Sequence, residues 1–281
     1  MRKINIGIIL LSIVIVGMLI PVAFSGQSDS VVITYGETTH ANSEYKSIVD
    51  NFFKTQAKVD LSNVESKIIT ADDVNKISSG ISGRTYSSSQ IFSSALVDLN
   101  ENDNLEVSVD KSMITTITGN MYISALKSAG ITSGHVYVTS PVTATGESAL
   151  AGIMNSYEVA TNVEIPETVK EAANNEIYTQ AEIVENSNVS ADKLSELVDD
   201  VKETVQEENV TDHQTIVNII YNYTVVNNIN ITNNDIENLA DSIEQIQNIQ
   251  GDINNYETQV SDVLNGTDTN SITGILDGLF K

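Results

Sequence analysis

The rhythm of apolar residues changes once along this 281-residue chain, near residue 160. Before that point, short β-branched and aromatic runs alternate with clusters of Gly, Ser, Asn and Asp, a pattern of strands and turns interleaved with helices. After it, apolar residues recur at three- and four-residue spacing within Asn-, Glu- and Asp-rich sequence, as amphipathic helices require. Charge changes at the same place. Residues 26–160 hold 8 basic and 15 acidic residues, net −7, whereas residues 161–281 hold 4 and 23, net −19. Together the patterns predict an α+β protein: a small mixed or antiparallel sheet flanked by helices in 26–160, then an acidic, mainly helical region in 161–281.

The whole chain carries −24 with 41 % hydrophobic residues, so it has material for a core and argues against nucleic acid as a partner. An anionic membrane surface is disfavoured for the same reason. With no Cys, disulfides, thiolate zinc sites, catalytic thiols and lipid attachment at a leader cysteine are all excluded. Three His, at 40, 135 and 213, leave little from which to build a metal site, and neither a metal nor another cofactor is expected.

Met1-Arg2-Lys3 is a positive start, and Ile4 to Ile20 is an apolar run broken only by Asn5, Gly7, Ser12 and Gly17. Pro21 follows, and Ala23-Phe24-Ser25 places small residues at −3 and −1 of a cut after Ser25. That order predicts a secretory signal over residues 1–25. The alternative is an uncleaved anchor, in which residues 4–20 alone touch a membrane. A helix of that length spans about 25 Å, short of a bilayer core of about 30 Å. Cleavage leaves 12 basic and 38 acidic residues, net −26, outside the cell. Sequons at Asn188, Asn209, Asn222, Asn230 and Asn265 are compatible with export, and the Asn richness of the last third accounts for them by chance.

Val31 to Tyr35 reads as a strand closed by Gly36, followed by a helix over about 42–56 with Tyr45, Ile48, Val49, Phe52 and Phe53 on one face. Thr70-Ala71-Asp72-Asp73 spells a capping box for a helix ending near Ser78, with a loop over 79–83. Ile91 to Leu99 and Leu105 to Val109 read as two strands of a hairpin turning at 100–104. A helix near 118–129 stops at Gly130, His135 to Thr139 is a strand, and Gly146 to Ala160 is a helix. Beyond it, Pro166 suits a first helical turn, and Ser190 caps a helix with Leu194, Leu197, Val198, Val201 and Val205 in register. Thr211 to Gln214 reads as a capping box for a helix over Ile216 to Val226, whose composition also fits a strand. Ile236, Leu239, Ile243, Ile246 and Ile249 form a last stripe. Such stripes bury in a small bundle or on the sheet, with a coiled-coil partner as the alternative.

Motifs with chemical meaning stop short of completion. Asp98-Leu99-Asn100-Glu101-Asn102 opens like a calcium loop, but Asp103 stands where Gly makes the turn and Val109 where a bidentate Glu is needed. Ser43/Lys46, Ser124/Lys127 and Ser190/Lys193 have S-x-x-K spacing without the companion motifs of the enzymes that use it. Ser148 misses a nucleophile elbow because Leu150 replaces its Gly, and His135 has no second His beside it. No phosphate loop, dinucleotide fingerprint or H-E-x-x-H occurs. No spacing selects two carboxylates as an acid–base pair, so the catalytic residues, if any exist, are unknown at this level.

One ordered set of segments is familiar. Ser93-Ser94-Ala95-Leu96-Val97, Met121 to Leu126, Ala129-Gly130-Ile131 and His135 to Val138 lead into Ser140-Pro141-Val142-Thr143-Ala144-Thr145-Gly146-Glu147-Ser148-Ala149-Leu150-Ala151-Gly152-Ile153-Met154, with Ala172-Ala173-Asn174 and Glu176 beyond. The order resembles the YpuA-like secreted proteins, domain of unknown function 1002, most closely over about 89–178. The resemblance implies export from a Gram-positive-type or archaeal cell and supplies no catalytic residues. Pro141, Gly146 and Gly152 then read as strand exit, helix entry and close helix packing. The expectation is an exported, non-catalytic protein of the cell envelope or exterior, with an extracellular protein or cell-wall polymer as partner. The alternative is an extracellular carboxylate-dependent hydrolase of peptides or glycans, which requires two acids gathered in a concave site.

Overall fold

The computed structural model describes residues 30–78, 81, 84–100 and 104–264. Residues 1–25, expected to be a signal, most of the loop expected over 79–83, the sequon at Asn265 and the centre of the calcium-like loop lie outside those residues. The architecture is α+β, a five-stranded mixed sheet with helices on both faces and a helical region after it.

The strands are β1 (Val31–Gly36), β2 (Glu65–Ile69), β3 (Ser94–Asp98), β4 (Leu105–Val109) and β5 (Gly134–Thr139), in the order β2-β1-β3-β5-β4. β1 and β2 are parallel, as are β4 and β5, while β3 runs antiparallel to both β1 and β5. The expected hairpin between β3 and β4 does not form, because β5 lies between them. Burial explains the insertion. β5 contributes Val136 and Val138 at 0 % exposure and β3 is buried almost throughout, whereas β4 presents Glu106 and Ser108 and suits an edge. β2, at the other edge, was not expected from the sequence. Its Glu65-Ser66-Lys67 start is exposed and polar, and the Glu65–Lys67 ion pair keeps that edge charged.

Helices α1 (Glu37–Ala41) and α2 (Ser43–Gln56) connect β1 to β2. α2 is capped by Asn42, whose side chain accepts from Glu44 N and Tyr45 N, and it seals one sheet face with Val49 and Phe53 against Ile33, Tyr35 and Leu96. α3 (Ala71–Ser78) starts with the expected capping box: Asp73 N donates to Thr70 Oγ1 and Thr70 N to Asp73 Oδ2. α4 (Gly119–Ser128) joins β4 to β5 and ends at Gly130, with φ +73°.

The other face is covered by α5 (Ser148–Thr161). Gly146, at φ +114°, turns the chain into this helix where an added Cβ would meet Ile114 and Tyr122. Gly152 brings the helix close to the sheet, where Thr34 Oγ1 donates to its carbonyl at 2.9 Å.

α6 (Glu167–Asn186), α7 (Ala191–Glu207), α8 (His213–Val226), α9 (Asn233–Asn248) and α10 (Gln250–Leu264) follow. α6 spans two cores. Val169 to Ala181 join the core beneath the sheet, while Ile183 packs with Leu194, Leu197, Val198, Val201, Val205, Ile216, Ile220, Ile236, Leu239 and Ile243. These stripes are buried against one another within the chain. α10 returns Ile253, Tyr256 and Val260 to the core beneath the sheet, so the compositional change at 160 falls inside continuous packing. α8 is a helix, not a strand, and Asp212 caps it by accepting from Thr215 N, one residue later than the box expected at Thr211. Ser190 precedes α7 without a side-chain cap bond. Among the described residues no helix is long and apolar enough to cross a membrane.

Candidate functional site

Glu176 lies on the inward face of α6, between Ala172, Ala173 and Ile177, and is 1 % exposed. A carboxylate so placed requires a cation or several donors. Lys202, one turn from Val198 on α7, provides the cation with Nζ 2.9 Å from Glu176 Oε1. The same Nζ reaches Ser124 Oγ at 2.8 Å, Ser128 Oγ at 3.0 Å, the Ser124 carbonyl at 3.1 Å and Asp199 Oδ1 at 3.2 Å. Ser128 Oγ donates to Glu176 Oε2 at 2.5 Å, and Gln180 Nε2 donates to Oε1 at 3.2 Å. Ser124 Oγ, with one proton, faces Glu176 Oε1 at 2.6 Å and Asp199 Oδ1 at 2.5 Å. Three helices thus meet on one ion pair: α4 through its serines, α6 through Glu176 and α7 through Lys202 and Asp199.

This geometry resembles a Ser–Lys dyad only in composition. A dyad needs a lysine lone pair aimed at the hydroxyl and a hydroxyl aimed at substrate. Here Lys202 is surrounded by oxygen acceptors, and Ser124 is 0 % exposed with its proton directed to carboxylates. The cluster is therefore a structural ion pair at the floor of a cleft.

The cleft has a volume of about 470 Å³ and is walled by α4, α7, α9 and α10. Gln206, Gln247, Gln250 and Asn254 bring amides to it, Glu203 and Glu257 bring carboxylates, and Lys127 brings a cation. Val205, Ile243, Ile246 and Ile253 supply apolar surface beneath them. A second cavity of about 720 Å³ shares Asn254 and Glu257 and runs along α10 to Leu264, past Thr132, Ser133 and Tyr157. Amides both donate and accept, so the lining suits a ligand that does the same.

A second buried acid, Glu147, precedes α5 and is likewise 1 % exposed. Arg84 pairs with it at 2.7 Å and with Glu185 of α6 at 2.6 Å, and Thr145 Oγ1 donates to its other oxygen. Nearby, Tyr178 donates to Tyr86 at 3.1 Å. Burial, reinforced by the charge of Glu147, raises the Tyr86 phenol above its ordinary range. Among the described residues the two fully buried carboxylates are thus matched by cations, and they belong to separate networks.

The chain is recognisable at this point. The sequence model of the family described as "Protein of unknown function (DUF1002)" matches residues 35–263. The chain belongs to that family. It is 30 % identical over 162 residues to the "Uncharacterized protein YpuA" of Bacillus subtilis (strain 168), covering 57 % of this chain and 55 % of that protein. The chain therefore spans about half the length of this curated relative. No solved structure matches. The DUF1002 match spans α4, α6, α7, α9 and α10 as far as residue 263, hence every residue of the Lys202 cluster and the amides of the cleft.

The residues singled out by sequence are dispersed over this DUF1002 fold. Lys46 pairs with Asp50 and donates to Tyr35, away from catalysis with Ser43. Lys127 is exposed, and Ser124 meets Lys202 instead. Ser190 and Lys193 are exposed near the start of α7, and Ser148 occupies the first turn of α5. His135 stacks on Tyr137 and contacts Ser108 Oγ at 3.2 Å, His40 lies beside Tyr35, and His213 opens α8. Asp98 accepts from the Asn100 backbone and side chain. Sequence reading missed Lys202 altogether. A signal existed: Glu176 interrupts an apolar helix face, and only Lys170, Lys193, Lys202 and Lys281 follow residue 160 to neutralise it.

Proposed function

We propose that this protein is an exported, non-catalytic protein of the cell envelope or exterior that holds an uncharged glycan strand in the cleft beside α10. The observation that carries the reading is the amide-lined cleft above an internally neutralised floor. Gln206, Gln247, Gln250 and Asn254 match hydroxyls that donate and accept, and the buried Ile243, Ile246 and Ile253 form the packed wall behind them. Continuation into the cavity along α10 favours a polymer over a small molecule. A net charge of −24 repels polyanions, which favours a neutral strand. Export rests on the leader pattern of residues 1–25.

Hydrolysis finds less support. The two buried acids, Glu147 and Glu176, are each committed to a cation and belong to separate networks. The test is co-sedimentation with insoluble chitin and cellulose particles, which are uncharged polysaccharides. The protein should pellet with them, and Gln247→Ala with Asn254→Ala should weaken binding about 30-fold, since each of the two lost hydrogen bonds costs about 1 kcal/mol. The exposed control Glu207→Gln should change nothing. Absence of binding, or equal binding by the cleft variant, would refute the reading.

A further inference from the structure

His213 lies in the first turn of α8, facing α9, and three carboxylates of α9 surround its ring. Glu237, Asp241 and Glu244 are four and three residues apart, so they share one helix face. Each ring nitrogen meets a carboxylate. Nε2 is held by Glu237 Oε2 at 3.0 Å. Nδ1 faces the other two acids, at 2.9 Å from Glu244 Oε2 and 3.6 Å from Asp241 Oδ1. Metal-bound histidines are characteristically fixed this way, with the far nitrogen donating to a carboxylate.

We propose that His213 Nδ1, Asp241 and Glu244 form a binding site for a divalent transition ion of the zinc class, with Glu237 orienting the imidazole. Bonds of about 2.0–2.2 Å around a tetrahedral ion separate its ligand atoms by about 3.3–3.6 Å. The three ligand atoms already lie within 4.8 Å of one another, so small side-chain rotations close the set. The ion replaces the proton on Nδ1. Side-chain exposures of 34 % for His213, 69 % for Asp241 and 32 % for Glu244 leave room for water to complete the shell. Charge favours the ion as well: two ligating carboxylates neutralise it, and among the described residues all three acids pair with His213. The imidazole is the discriminating ligand. Oxygen atoms alone would accept calcium or magnesium, whereas a nitrogen donor shifts preference toward zinc-class ions. The site uses none of the cleft residues, so it stands or falls independently of glycan binding.

The test uses tag-free full-length protein, stripped with chelator and titrated with zinc chloride in a calorimeter, then with cobalt chloride while recording visible absorption. One ion per chain is expected, with a cobalt band typical of low coordination number, and a hundredfold excess of calcium should not displace it. His213→Ala and, separately, Glu244→Gln should abolish the band. Glu237→Gln should weaken zinc binding about 10–100-fold, the usual effect of removing a carboxylate behind a ligating histidine. Glu207→Gln, with one exposed acid fewer on α7, should bind as the parent does. Circular dichroism separates lost ligation from lost folding, and Glu244→Gln retains the imidazole as a second check. Unchanged zinc binding in folded His213→Ala, or displacement by equimolar calcium, would overturn the proposal and leave only counterion attraction to an acidic surface.

Discussion

Around the sheet, buried hydroxyls find neutral partners: Thr34 donates to the Gly152 carbonyl, Tyr122 to the Gly146 carbonyl and Tyr157 to the Ser133 carbonyl. Where α4, α6 and α7 meet, the buried polar group is a carboxylate, and Lys202 matches it. The two regions differ because their compositions do. The segment of net −7 buries one carboxylate, Glu147 beside Arg84, and otherwise satisfies its interior with Ser, Thr and Tyr, whereas the segment of net −19 has 4 cations for 23 acids and places most acids at the surface. The consequence is unequal fragility. A neutral hydroxyl can be lost for about 1 kcal/mol, but stranding a buried charge costs several.

The sharpest way to break this comparison is Lys202→Met. It strands Glu176 at 1 % exposure and should cost about 3–5 kcal/mol in urea unfolding. Adding Glu176→Leu removes the stranded charge and should recover at least half of the loss. A single-variant cost under about 1 kcal/mol would mean that the pair is effectively solvated, and the contrast between regions would fail.

The sheet side should instead be fragile to alkali. Burial raises the phenols of Tyr122 and Tyr157, and Tyr178 is raised by burial with support from the neighbouring Tyr86. In the unfolded chain these groups release protons near pH 10, while the folded chain retains them. The folded state then binds more protons, so their contribution is complete below about pH 10 and declines as pH rises above it. Urea midpoints measured between pH 8 and pH 11 should fall only beyond pH 10, with phenolate absorbance from these residues appearing together with loss of near-ultraviolet circular dichroism. Ionisation of all tyrosines with tertiary signal intact would contradict the stated burial.

The smallest effect concerns salt. Screening should slow amide exchange in α7 to α9 by a few tenths of a kcal/mol between 20 and 300 mM sodium chloride, as the Debye length shortens from about 20 Å to about 6 Å, and alter the sheet less. Equal changes in both regions would show that net charge does not set the difference.

Local chemistry was legible in the sequence, and pairing between distant segments was not. The Thr70–Asp73 box, the stop at Gly130, the turn at Gly146 and the close approach at Gly152 are each specified by residues at or beside the feature. The position of β5 between β3 and β4 depends on which strand loses most by exposure, a comparison among segments far apart in sequence. β2 escaped notice because an edge strand tolerates Glu65 and Lys67, which erase the apolar alternation. The Asp212 cap displaced the Thr211 box by one residue, a shift within the ordinary uncertainty of helix ends. For the cleft, Glu176 could be seen on an apolar face, but its partner lies 26 residues away on another helix. The α9 acids are separated from His213 by the turn between α8 and α9, so only folding brings nitrogen and oxygen donors together.

The central functional claim is that the cleft holds glycan without cutting it. Soluble N-acetylglucosamine oligomers, which carry no charge, mixed with the protein, can be followed by amide-exchange mass spectrometry and by reducing-end analysis of the same sample. The account predicts added protection across residues 243–258, where α9 meets α10 at the cleft, and no new reducing ends. New reducing ends that disappear in a folded Ser124→Ala or Glu176→Gln variant would contradict it and make the Lys202 cluster catalytic.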